Sequence, residues 1–283
     1  MPNNNTYNDG GLWNRLLNSL PKDQRRDYKE KNIAQVNRQY IGTPMFRILN
    51  IYANTHSPVN GHPWIESAVS TANLLGHWTF NEGTGNIVYN SVGNDNGTWS
   101  GTEAGTSGYY SPGITAAWAG TFSQDGTTRV TITPIGELAG DTSKTLSVWF
   151  NDTNLSSTTS EQDVVAIGTD ATAETFGIAV KSGYIYAHFG GNPDLNTHVL
   201  INSNTWYFAA VTYDSSTTNA VAYVNGNIAA FEITTLNTGN TNFFIGQHLT
   251  NPGSFFPGYI DDVRVYDATL SASNISDIYN GLA

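Results

Sequence analysis

The sequence has no cysteine among its 283 residues, which excludes a disulfide framework and any thiolate metal site. Charge is also scarce. Only 12% of residues are Asp, Glu, Lys or Arg, and their balance of −11 leaves no basic footprint for nonspecific nucleic-acid binding. No apolar run approaches the roughly 18 residues of a membrane span. The leading stretch MPNNNTYNDGGLWNRLLNSLP lacks the basic start and apolar run of a secretory signal, so a chain without a Sec address is expected. Signatures of chemistry are missing too: there is no G-x-S-x-G, no phosphate loop and no H-E-x-x-H. GTGN at 83 to 86 runs from a strand pattern into another loop, so it lacks the helix N-terminus that phosphate binding needs. The six histidines, at 56, 62, 77, 188, 198 and 248, include no i, i+4 pair, which argues against zinc.

What is present suffices for a sizeable core: 39% of residues are hydrophobic and 12% aromatic. The charge is divided unevenly. Residues 1 to 75 hold eight of the 12 basic residues against five acids, so a weakly basic leading part precedes a strongly acidic remainder. Residues 1–60 read as a helical, basic N-terminal anchoring arm. Pro21 and Asp23 suit a first helical turn, Tyr28, Ile33, Val36 and Tyr40 share a face, and Gly42 and Pro44 stop the helix. After Thr43-Pro44, the residues Met45, Ile48, Leu49 and Tyr52 repeat the stripe. Helices this short cannot bury such stripes alone. Docking on a partner or on copies of the same chain is expected through Leu12, Trp13, Leu16, Arg25, Arg26, Tyr28, Ile33, Val36, Tyr40, Phe46, Ile48 and Leu49, with packing on the rest of the chain as the alternative. Residues 61–73 read as a linker.

From Leu74 onward the period changes from helical to alternating. LLGHWTF, RVTITPI, KTLSVWFND, DVVAIG, FGIAVKSGYIYAHFG, HVLI, TWYFAAVTYD, NAVAYVNGNIAAFEI, NFFIGQ and GYIDDVRVYD are rich in β-branched and aromatic residues and separated by Gly, Asn, Asp and Ser. With no helix-length insert between them, the strands must run antiparallel in two stacked sheets. Asn225-Gly226 marks a hairpin, and Ser271 or Ser273 caps a short closing helix carrying Ile275, Ile278 and Tyr279. Trp78, Trp118, Trp149 and Trp206 lie in strand patterns and are expected in the core; Trp99, Phe255 and Phe256 lie in turn-rich stretches.

The succession LLGHWTFNEGTGN, AGTFSQDGTTRVTI, TLSVWFND, TWYFAAVTYDSSTTNAVAYVNGNIAA, FFIGQ and FPGYIDDVRVYDATLSASNISDIYNG resembles the concanavalin A-like, laminin-G-like jellyroll over residues 74–283. The resemblance implies a mainly β protein, a two-sheet antiparallel jellyroll sandwich with a rim where glycans or proteins bind, to which the helical arm is added. It also implies a structural calcium ion, Ca2+, held by Asp261 and Glu82 with the carbonyls of Asn81 and Gly83. In YIDDVRVY the alternation places Asp261 with Val263 and Val265, so an ionised Asp261 needs either that cation or backbone amides in a turn, while Asp262 pairs with Arg264 or meets water. Hydrolases of this fold carry Glu-x-Asp-x-x-Glu; here Glu161 and Asp163 match, but Ala166 takes the third position, so surface carboxylates and no enzyme are expected. The expected ligand-binding rim comprises Trp99, His188, Asn192, Asp194, His198, Phe255 and Phe256. The functional expectation is a structural or adhesion protein of a phage virion: a capsid decoration, head fibre or tail-associated protein in an extracellular particle. Such a homo-oligomer would anchor to capsid, portal or tail proteins by its arm and display a lectin-like jellyroll that binds host-surface or environmental glycans. The alternative is a carbohydrate-binding module of a bacterial cell-surface or secreted protein.

Overall fold

A computed structural model describes residues 73–101, 109–123, 128–155, 161–191, 193–250 and 255–282. The expected arm of residues 1–60, all of its partner-binding positions, the linker apart from Asn73, and Asn192 lie outside the described residues. Along the chain run β1 (Leu74–Trp78), β2 (Ile87–Val88), β3 (Gly97–Ser100), β4 (Tyr110–Pro112), β5 (Trp118–Phe122), β6 (Arg129–Thr131), β7 (Lys144–Asp152) and β8 (Gln162–Gly168). They continue as β9 (Thr175–Lys181), β10 (Tyr184–His188), β11 (Leu195–Leu200), β12 (Trp206–Asp214), β13 (Asn219–Val224), β14 (Asn227–Ile233), β15 (Asn242–Ile245) and β16 (Gly258–Tyr266), followed by the helix α1 (Ala272–Tyr279).

Two sheets form a sandwich. Sheet A has the order β14-β13-β12-β7-β16-β5-β4, with β1 added on β16; sheet B has the order β11-β10-β9-β8-β15-β6-β3-β2. Every ladder among the described strands is antiparallel, as short connections demand. Alternation sends one side chain in two into the space between the sheets. From sheet A these are Leu146, Val148 and Phe150 on β7 and Val211 on β12; from sheet B they are Ile167, Phe176, Ile178, Phe243 and Ile245.

Part of the outer face of sheet A is covered by α1, while Ile228, Phe231 and Ile233 of β14 stay exposed. Ser271 caps the helix by accepting from Asn274 N, and Asn274 reciprocates at the Ser271 backbone, which completes a capping box. Ile275 and Ile278 then pack with Phe208, Ala210, Tyr223 and Tyr266 in a second, smaller core. The β13–β14 hairpin turns on Asn225 (φ 49°) and Gly226 (φ 75°), the positive pair that Asn-Gly supplies cheaply. A Cβ at Gly226 would lie 2.8 Å from the Tyr279 ring, so that glycine also makes room for the helix.

The face assignment in YIDDVRVY differs from simple alternation. Ile260, Val263 and Val265 all enter the main core, because the β16–β7 register slips between Asp261 and Arg264 and Asp262 adopts φ 51°. A bulge at Asp261-Asp262 thus reverses the phase. Asp261 pairs with Trp149 on the outer side, not on the side of Val263. The four tryptophans expected in the core also divide: Trp78 is fully buried there, Trp149 packs under α1 on Phe208 and Tyr279, Trp206 sits half-buried beside Tyr259, and Trp118 is 39% exposed.

Candidate functional site

The outer face of sheet B carries no helix among the described residues. Cross-strand registers define its rows. One runs His188, Gly177, Ala166, Phe244, Thr131, Thr98. Another runs Asn196, Tyr186, Ala179, Asp163. Directly paired residues share a face, and the neighbours of each of these on β9, β15 and β6 lie in the core, so both rows point outward. The small residues Gly177, Ala179 and Ala166 are buried, and the half-buried Tyr184, Tyr186, Lys181, Phe244 and Arg129 make the accessible part of the face. Gly177 keeps β9 close to β8, since a Cβ there would lie 2.6 Å from Val165 O. Three interstrand steps separate His188 from Phe244, roughly 14 Å.

Polar groups sit at both ends of the first row. Around Phe244, a cavity of about 300 Å³ is lined by Asn96, Thr98, Thr131, Asn242, Phe244 and Pro134, among others. The Arg129 guanidinium lies 5.3 Å above the Phe244 ring and donates to Gln247 Oε1 at 2.9 Å. In the second row, Asn196 Nδ2 donates to the Tyr186 hydroxyl at 2.8 Å.

At the His188 end of the first row lies a buried ionic cluster. His188 Nδ1 is 2.9 Å from Asp163 Oδ1 and 3.3 Å from Glu161 Oε1, and Lys181 Nζ is 3.6 Å from Glu161 Oε2. The His188 ring stacks on His248 at 5.5 Å and 30°. Burial works against the imidazolium, but the Asp163 and Glu161 carboxylates outweigh it and raise His188 to about 9. Burial raises Glu161 as well, opposed by His188. The expectation that Glu161 and Asp163 are surface carboxylates is therefore corrected: Asp163 is fully buried and Glu161 largely so.

The expected rim residues scatter. Trp99 is 4% exposed, stacked on Tyr109 at 4.7 Å and packed edge-on to Phe80 and Tyr110. Its four-residue strand GTWS alternates buried and exposed, and the short length hid that pattern among turn residues. Phe255 and Phe256 are 2% and 0% exposed; Phe256 packs on Phe150 at 5.9 Å. These three aromatics hold the sandwich together and offer nothing to a ligand. Asp194 closes its own loop by accepting from Phe189 N and Gly191 N. His198 is exposed with φ 57° at an irregular β10–β11 register. Of the described members of the set, His188 lies in the rows of this face and is buried there, and His198 stands exposed on the neighbouring β11. Phe244, Tyr186, Arg129 and His248 were missed. Alternation in NFFI, with Phe243 and Ile245 inward, is the signal that would have turned Phe244 outward.

The four residues expected to hold calcium are held as follows. Asp261 Oδ2 accepts from Ile114 N and Thr115 N, both at 3.0 Å. Burial raises Asp261 to about 6 against the pull of these amides. Glu82 Oε1 accepts from Tyr89 N and Asn81 Oδ1 from Trp118 N, while Gly83 approaches the Trp118 indole too closely for a Cβ. Asp261 Oδ1 and Glu82 Oε2 are buried with no hydrogen-bond partner among the described residues. Two orphaned carboxylate oxygens suit a hard cation in donor chemistry. Neighbouring Asp262 accepts from Arg264 Nε at 3.0 Å and contacts His77 Nε2. Burial alone would raise Asp262, but His77 and Arg264 hold it below the usual carboxylate range.

The described residues form a two-layer antiparallel sandwich whose sheet B presents aromatic, hydroxyl and amide groups on its outer face. Residues 124–276 match the Laminin_G_3 family, described as the concanavalin A-like lectin/glucanases superfamily. The chain belongs to that superfamily. No curated protein matches it in sequence. Among solved structures, domain 4 of AbnA, an extracellular arabinanase from Geobacillus stearothermophilus in complex with arabinotriose, is similar with TM-score 0.56 and 19% identity, over 73% of this chain and 98% of that one. The binding domain of Paraclostridial mosquitocidal protein 1 is similar with TM-score 0.59 and 15% identity, over 74% of this chain and 52% of that one. A Trypanosoma rangeli sialidase in complex with 2,3-difluorosialic acid is similar with TM-score 0.56 and 12% identity, over 84% of this chain and 39% of that one. The chain thus spans about half the toxin domain and less of the sialidase. At these identities the likeness is one of fold.

Proposed function

We propose that this protein binds an oligosaccharide across the outer face of sheet B, between Tyr186 and the cavity at Phe244. The observation that carries the reading is the row that joins His188 to Phe244, Thr131 and Thr98 beside the roughly 300 Å³ cavity. Accessible aromatic rings present flat apolar surface to a pyranose or furanose ring, while Thr98, Thr131, Asn96 and Asn242 offer the hydroxyl and amide groups that fix its orientation. The reading is one of binding without hydrolysis. Glycoside cleavage needs a free acid and a free nucleophile or base, whereas Asp163 and Glu161 both flank His188 and Ala166 stands in the third motif position.

Glycan arrays followed by calorimetry on the full-length chain test this reading, with arabino-oligosaccharides among the probes because the arabinanase domain was crystallised with arabinotriose. Phe244→Ala and Tyr186→Ala are expected to weaken binding about tenfold or more each. Unchanged affinity in both would remove the ligand from this face, and release of reducing sugar would replace binding with catalysis.

The setting we favour is a phage virion, with residues 1–60 gripping a capsid, portal or tail protein and the acidic jellyroll displayed outward. The uneven distribution of basic residues supports it. Co-sedimentation of the full chain with phage particles, abolished by charge reversal at Arg25 and Arg26, is the expected result; a soluble module that binds glycan with no particle would favour the bacterial carbohydrate-binding alternative. Calcium belongs to the same proposal. Asp261 Oδ1 and Glu82 Oε2 would hold it, and added calcium would then stabilise the chain against heat.

A further inference from the structure

We propose that Glu161, His188 and His248 form a binding site for a divalent cation of the zinc type, with Asp163 positioning His188. One donor atom from each of the three residues lies within 4.8 Å of the other two. Two imidazoles and a carboxylate are the donor set that borderline cations prefer, since imidazole suits Zn²⁺, Cu²⁺ and Ni²⁺ where calcium and magnesium take oxygen alone. The residues come from three places far apart in the chain: the entry to β8, the end of β10, and the segment after β15. That separation is why no histidine spacing announced the site.

Two features distinguish this cluster from an ordinary ion pair. A neutral His188 that donates Nδ1–H to Asp163 keeps its Nε2 lone pair for a cation, the arrangement in which a carboxylate orients a metal-binding imidazole; Glu161 Oε1, now 3.3 Å from Nδ1, turns toward Nε2 to complete the set. The charges are also in place without their full complement of partners. Asp163 Oδ2 and Glu161 Oε1 are buried with no hydrogen-bond partner among the described residues, although Glu161 Oε1 lies within ion-pair distance of His188. Two carboxylates held in a buried position favour a doubly charged occupant over a single imidazolium. Binding at His248 has a local cost. Its Nδ1 accepts from Thr250 N at 3.3 Å, and that long contact is given up whichever ring nitrogen faces the cation.

The proposal stands apart from glycan binding, because it concerns the buried cluster and not the accessible aromatic surface. The full-length chain, stripped with a chelator and returned to chelator-free buffer at neutral pH, is titrated with zinc chloride by calorimetry while thermal unfolding is followed. A saturable site at one equivalent per chain and a raised Tm are expected. His248→Ala and Glu161→Gln should lower the affinity at least about tenfold, and Asp163→Asn about 10- to 100-fold. His198→Ala, at an exposed histidine away from the cluster, should leave it unchanged. Cobalt(II) substitution adds a spectroscopic readout, since visible d–d absorption of low-coordinate cobalt should appear in the wild type and vanish in His248→Ala. Circular dichroism establishes that each variant is folded, and His248→Gln serves if the alanine variant is not. Zinc binding that is absent, or equal in the wild type and a folded His248 variant, overturns the proposal.

Discussion

Buried charge in this sandwich is settled one side chain at a time. The Lys144 ammonium is fully buried, yet it donates to Leu138 O, Gly140 O and Thr238 Oγ1 at 2.6, 2.9 and 2.8 Å. Burial lowers Lys144 to about 8, with Asp141 pulling the other way. Asp152 is treated less generously. Its Oδ1 accepts from Asn154 N, its Oδ2 has no partner among the described residues, and burial raises it from 3.8 to about 6. The unfolded chain therefore ionises this carboxyl first. Its stabilising contribution is present below about pH 3.8 and is lost as pH rises through about 6. Asp152→Asn removes that loss. The difference in urea midpoint between variant and wild type should move in the variant's favour between about pH 4 and 6 and stay constant above.

At the scale of elements, α1 binds to sheet A through a narrow stripe. Ile278→Ala should cost about 2–5 kcal/mol in urea unfolding, because Ile278 is buried in the small core on Phe208 and Tyr266. Tryptophan fluorescence should report the same change, since Trp149 stacks on Tyr279. This helix was legible in the sequence: a serine cap, an amide three residues on and two isoleucines one turn apart are local signals. The long strands were legible for the same reason, as was the Asn225-Gly226 turn. The bulge at Asp261-Asp262 was not. It arises where β16, paired with β7 along one edge, exchanges β5 for β1 on the other, with His77 and Arg264 drawn around Asp262, and no local pattern encodes that. Trp99 was obscured similarly, since β3 is too short for alternation to stand out. The candidate site was least legible, because Glu161 and His188 meet, and Phe244 comes to share their face, only through strand register.

For the molecule as a whole, the two outer faces have different fates. Sheet A covers part of its outer face with α1 and leaves Ile228, Phe231 and Ile233 of β14 exposed, whereas sheet B leaves small buried residues, half-buried aromatics and the ionic cluster without a helical cover among the described residues. Under the proposed reading, that asymmetry leaves the sheet B side for the glycan among the described residues. The pairing of the first and last strands carries a mechanical consequence. Leu74 lies opposite Tyr266 and Trp78 opposite Val263, so the entrance to β1 and the exit from β16 adjoin. Tension applied between those two points parts the β1 ladder rung by rung instead of shearing all its rungs together. In an optical trap the domain should yield in steps at modest load, and a tether meant to endure flow would have to grip it elsewhere.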